Sequence, residues 1–148
     1  MKLETEPISD DEWLLRRVHI QMFRTDVTPL SPNAFRPVTK GTHVDNAGIS
    51  LFREACQQNS EDILRLMSPE RQADNGIVRL RVSDLKKIKL SVVADPISDI
   101  PGHVVIPELN AQVYENDKKS LLPVMAQLAE IGNDNILRWP PNQRNCHI

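Results

Sequence analysis

RRVHIQMF, residues 16 to 23, alternates Arg16, Val18, Ile20 and Met22 with Arg17, His19, Gln21 and Phe23. A period of two marks a strand, because successive side chains leave a pleated backbone on opposite faces. The pattern sets Arg16 among apolar neighbours. A guanidinium there is costly unless a carboxylate, carbonyl groups or an anionic ligand meets it.

Upstream, Ser9-Asp10-Asp11-Glu12 has the form of a capping box and predicts a short helix. Downstream, residues 24 to 47 contain three prolines and Gly41, a long irregular connection that includes PLSPNAFRPVTKG, Pro29 to Gly41. GISLFREA, 48 to 55, predicts a second strand with Ile49 and Leu51 facing one way and Ser50 and Phe52 the other. NSEDILRLMSPE predicts a short helix capped by Asn59 or Ser60 and limited by Pro69. GIVRLRV, 76 to 82, alternates Val78, Leu80 and Val82 with Ile77, Arg79 and Arg81, the pattern of a half-exposed strand. SDLKKI offers one capped turn, KLSVVADP a strand ending near Asp95, DPISDIPG a turn, and HVVIP, 103 to 107, another short strand.

The period then lengthens. Leu121, Leu122, Met125, Leu128 and Ile131 lie at helical spacing, and Gly132 follows as a stop, so an amphipathic helix is expected over 119–131. Together these segments predict a mixed α+β domain, residues 1–132, followed by a C-terminal tail, 133–148. The domain is a small, mainly antiparallel sheet with a short inserted helix and a C-terminal amphipathic helical layer.

Composition narrows the function classes. The chain of 148 residues suits one domain, and a net charge of −2 gives no global attraction to nucleic acid or anionic lipid. No apolar run reaches the roughly 18 residues of a membrane span, and the acidic start is unlike a signal peptide, so a cytoplasmic location is expected. Cys56 and Cys146 lie far apart, which argues for reduced thiols rather than a disulfide framework. There is no phosphate-binding loop, no nucleophile elbow and no zinc-protease motif. His19, His43, His103 and His147 are scattered, so no metal is assigned, and neither Cys146-His147 nor any other group is assigned a catalytic role.

Three sets of residues carry alternative functions. Arg16, Ser31, Phe35, Ser50 and Arg53 could form a ligand pocket if the proline-rich loop closes over the strand arginine. The contrary reading pairs Arg16 with an internal acid and makes Phe35 an anchor for the loop. Phe35, Arg36, Leu128 and Trp139 are candidates for contact with a protein partner, since an aromatic beside arginines is a common hot-spot mixture. Arg79, Arg81, Lys86, Lys87 and Lys89 could meet phosphates of a nucleic acid, although no aromatic interleaves them in sequence.

The segments LLRRV, SPNAFRP, GISLFR and ADPISDIPGHVVI, spanning about residues 14 to 106, resemble an uncharacterised group of small bacterial proteins. A looser likeness, in which a strand arginine precedes a serine-bearing loop and a Ser-Leu-Phe strand, is similar to ADP-ribosyltransferase folds of the RES type. That resemblance implies NAD as cofactor, Arg16 on its phosphates, Ser50 near the nicotinamide ribose, and a catalytic glutamate among Glu54, Glu61 and Glu108. The expectation ranked first is a small cytoplasmic bacterial accessory or regulatory protein that needs no cofactor. It would bind a protein partner in a hetero-complex, of toxin–immunity or phage-defence type. The NAD-using transferase ranks second and the nucleic-acid binder third.

Overall fold

The computed structural model describes residues 1–24, 28–96 and 99–146. His147 and part of the DPISDIPG turn lie outside them. Six strands, β1 (Trp13–His19), β2 (Ile49–Arg53), β3 (Asn75–Arg81), β4 (Val93–Ala94), β5 (His103–Ile106) and β6 (Ile136–Arg138), form one sheet in the order β4-β5-β2-β1-β3-β6. All their pairings are antiparallel. Among the described residues four α-helices accompany it: α1 (Pro69–Ala73), α2 (Val82–Lys87), α3 (Ala111–Asn116) and α4 (Lys118–Asn133). The fold is α+β. No helix among the described residues is long and apolar enough to cross a membrane.

Alternation along the strands supplies two apolar faces. Leu14, Val18, Leu51, Val78, Leu80 and Val104 pack beneath Leu121, Met125, Leu128 and Ala129 of α4. On the opposite face, Leu15, Phe52 and Ile77 meet Ile63, Leu64 and Ile100. Strand β3 is therefore buried on both faces from Asn75 to Val78, with Arg79 partly exposed, and Ile77 is core rather than exposed. Helix α4 runs through Gly132 instead of stopping there. A β-carbon at Gly132 would come within 2.8 Å of Leu30 and 2.9 Å of Val78, so this glycine lets the helix approach the sheet closely.

Several boundaries differ from expectation for local physical reasons. Ser9 to Glu12 is a turn, not a helix: the Ser9 N–H donates to the Glu12 carboxylate at 2.8 Å and the Glu12 N–H to the Ser9 carbonyl at 3.2 Å. The alternating run breaks at Ile20, where the imidazole of His19 accepts from the Gln21 N–H and caps a 3-10 turn, Ile20–Met22. The segment Ser60–Leu64 is also 3-10, and Pro69 opens helix α1 behind the Ser68 cap rather than closing a helix. KLSVVADP contributes only Val93–Ala94 to the sheet, because Lys89 takes a positive φ of 64° and Ser91 is drawn off by Glu108. Within the segment after residue 132, Ile136–Arg138 pairs with β3 as the sixth strand.

One buried ion pair secures the entry to β1. Arg53 is 1% exposed and donates to both carboxylate oxygens of Glu12, each at 2.8 Å. Its remaining donors reach the carbonyls of Glu4, Glu6 and Pro7, which ties the first residues to β2. Burial by itself raises the Glu12 carboxyl, but hydrogen bonds from Arg53 and from the Ser9 N–H leave it below its ordinary value. The hydrogen bonds to Glu12 likewise hold the Arg53 guanidinium above its usual value.

Arg53→Met leaves the Glu12 charge buried without its main partner, and urea unfolding should show a loss of about 3–5 kcal/mol. Because the folded Glu12 carboxyl titrates below 4.5, its contribution is complete above that pH and disappears as pH falls through the folded value. The stability gap between wild type and Glu12→Gln should therefore narrow in acid; a gap independent of pH would contradict the assignment.

Candidate functional site

Strands β1 and β2 share only two paired positions, Leu14 with Arg53 and Leu15 with Phe52, and then diverge. Strand β1 continues its ladder with β3 as far as His19, while β2 continues with β5. Arg16 bridges the opening. Its Nη1 donates to the Ser50 carbonyl at 2.8 Å and its Nε to the Ala34 carbonyl at 2.9 Å, while its guanidinium lies 5.7 Å from the Phe35 ring centre. Loss of water around this group lowers its pKa to about 10, against which Asp45 acts in the opposite direction. Arg16 is thus satisfied by carbonyls and a nearby acid rather than by a direct salt bridge.

The divergence is flanked by two adjoining lobes of a cleft, which share Arg17, Met67 and Arg71 in their linings. The first, about 560 Å³, is lined by Arg16, Arg17, Arg36, Lys40 and Arg71, with Asp74 the one carboxylate on its wall. Among the described residues none of these five cations makes a salt bridge. Burial, and then the neighbouring charge of Arg71, lower the Arg17 pKa. The second lobe, about 730 Å³, shares Arg17 and Arg71 and adds His43, Asp45, Ser50 and His103. Asp45 closes the loop above it: the Val38 N–H donates to its carboxylate at 2.7 Å, and burial raises the Asp45 carboxyl despite that bond and Arg16.

Ser50 and His103 meet because β5 lies between β2 and β4. The β2–β5 register pairs Ser50 with Val105 and Phe52 with His103, leaving Ser50 and His103 diagonal on one face. The β4–β5 register, continued one residue, sets Asp95 opposite His103, and the Asp95 N–H donates to the His103 carbonyl at 2.9 Å. The imidazole Nδ1 lies 2.8 Å from the Asp95 carbonyl and 3.4 Å from its carboxylate, and Nε2 lies 2.9 Å from the Ser50 hydroxyl. A carbonyl only accepts, so Nδ1 carries the proton in the neutral ring. Nε2 then accepts from the Ser50 hydroxyl.

The structure separates the residues grouped from sequence. Arg16 and Ser50 line the cleft, on different lobes. Ser31 caps the 3-10 turn Pro32–Phe35 by accepting from the Asn33 N–H. Arg53 does not reach the cleft but is committed to Glu12. Phe35 and Leu128, expected at a partner surface, are fully buried. Phe35 anchors its loop in the core, because the apolar ring gains more beneath α4 than in water. Of the other two partner candidates, Arg36 is exposed and lies over the Tyr114 ring, and Trp139 packs at 5.2 Å on Phe23.

The cationic strand is largely neutralised. Arg79 makes two 2.9 Å bonds to Glu54, Lys86 pairs with Asp10, and Lys87 approaches Asp84. Trp13, opposite Arg81 on the neighbouring strand, stacks against both Arg79 and Arg81, so an aromatic does interleave these cations across the ladder. None of Glu54, Glu61 and Glu108 lines the cleft: they bind Arg79, Arg138 and Ser91. Cys56 is a buried free thiol whose pKa burial raises. Among the described residues no group of three His, Cys, Asp or Glu side chains is placed to hold a metal ion.

A scan against protein-family models returned no match, and searches of curated proteins and of solved structures also returned none.

Phe35→Ala tests the core role of the loop anchor. Removal of a fully buried ring should cost about 3–5 kcal/mol in chemical denaturation. A loss below ~1 kcal/mol would mean the ring is not core in solution.

Proposed function

We propose that this chain binds a small phosphate-bearing molecule in the cleft between the diverging strands. The observation that carries this reading is the first lobe's wall, where five cations face one carboxylate and, among the described residues, none of the five makes a salt bridge. Of these, Arg16 and Arg17 are stripped of water and sit beside like charges, and a polyanion relieves that cost. Arginine forks suit phosphate oxygens in a two-bond geometry, and Lys40 adds a point charge. The chain as a whole is slightly acidic at net −2, so this positive field is local.

Two other readings are weaker. An NAD-using ADP-ribosyltransferase would place a diphosphate near Arg16 in keeping with this proposal, but each glutamate considered for catalysis is engaged outside the cleft. A protein-partner role retains Arg36 and Trp139 as candidates, yet loses Phe35 and Leu128 to the core.

Inorganic pyrophosphate is the direct probe. It should raise the melting temperature, corresponding to about 2.7 kcal/mol when present ~100-fold above its Kd. The shift should shrink with added sodium chloride and largely vanish in the Arg17→Gln/Arg71→Ala double variant. No shift at millimolar pyrophosphate, or an equal shift in the double variant, would overturn the proposal.

A further inference from the structure

We infer that Ser50 is a nucleophile activated by His103, and that the cleft cleaves a carboxylic ester whose acyl or alcohol part carries a phosphate group. The inference rests on the reading of the first lobe as a phosphate site. It adds a reaction, and a location for that reaction, to a proposal that concerned binding alone.

Three observations converge on the serine. The Ser50 hydroxyl donates to His103 Nε2 at 2.9 Å, the geometry in which an imidazole takes the hydroxyl proton as oxygen attacks. His103 is held from behind at Nδ1 by the Asp95 carbonyl at 2.8 Å, with the Asp95 carboxylate 3.4 Å away to stabilise the imidazolium. The dyad lines the second lobe, which shares Arg17 and Arg71 with the first. A phosphate held by Arg17 and Arg71, which line both lobes, would therefore sit beside the lobe that contains the nucleophile.

The chemistry balances without any oxidant or metal. Ser50 Oγ adds to the ester carbonyl carbon while its proton passes to His103 Nε2. The tetrahedral oxyanion collapses, the carbon–oxygen bond to the alcohol breaks, and the leaving alcohol takes the proton from Nε2. Water then gives a proton to Nε2 and adds to the acyl-serine, and Ser50 leaves with that proton. The products are a carboxylic acid and an alcohol. Arg17 lines the same lobe as Ser50 and supplies positive charge where the oxyanion forms. Continuation of the Leu15–Phe52 register by two residues would have set Arg17 opposite Ser50, and the divergence of the strands there makes room for a substrate.

A fluorophosphonate probe tests this on the intact chain, with the modified peptide identified by mass spectrometry. Labelling should fall on Ser50, disappear in Ser50→Ala, and slow by about 10²–10⁴-fold in His103→Ala, as expected for loss of a general base. Ser50→Cys provides a second arm: its thiol should react with iodoacetamide faster than buried Cys56, and this advantage should require His103. Absence of labelling, labelling at another serine, or a rate unchanged in His103→Ala would overturn the inference. Pyrophosphate-induced stabilisation of wild type separates the two proposals: if it persists without Ser50 labelling, only the nucleophile fails. If labelling occurs without that stabilisation, the phosphate reading fails and the ester class with it.

Discussion

The brief partnership of β1 and β2 shapes everything around it. After two paired positions the central strands part, and their backbone groups must find other partners. Arg16 supplies donors to two carbonyls from one side chain, spanning a distance that a backbone ladder no longer covers. The gap persists because the flanking pairs are complete: β1 lies against β3 over its whole length, and β2 against β5. The cleft is framed by strand residues such as Arg16, Ser50 and His103 on one side and by loop residues within 33–40 and 42–48 on the other.

The loop from Phe23 to Gly48 is organised by the same opening. Phe23 and Leu30 form a bridge, Leu30 is bound through its N–H to Asn133 at the end of α4, and Phe35 enters the core beneath that helix. The prolines and the Asp45 bonds then bring Arg36 and Lys40 over the parted strands. What reads in sequence as irregular is therefore anchored at several points. Its order comes from contacts far away in the chain, which local propensity does not encode.

Legibility divided along the same line. Period-two alternation placed Arg16 on the apolar face and predicted the strands around Ser50, Val78 and Val104, since side-chain direction follows directly from the pleat. The amphipathic helix was visible from spacing, but its continuation through Gly132 required knowing how close Leu30 and Val78 lie. The sixth strand was hidden because three residues are too few for a pattern. The Ser50–His103–Asp95 arrangement was hidden for a different reason. Each residue sits on a segment that could be read as strand or turn, but only the order of strands in space, with β5 between β2 and β4, makes them neighbours. Arg53 was placed with the pocket because it follows Ser50 on the same strand, whereas Glu12, forty-one residues earlier, claims it.

The position of β6 bears on how the chain is made. Strand β3 forms its ladder with β1 on one side, but its other neighbour is not synthesised until residues 136–138, after the whole of α4. During synthesis from the N-terminus, the outer edge of a strongly apolar strand stays open, and so does the sheet face that α4 will cover. The nascent domain thus passes through a stage in which a strand of its central ladder can pair with another chain. Slow production of the last helix would prolong that exposure, and a chaperone that shields strand edges would act on this intermediate rather than on the finished fold.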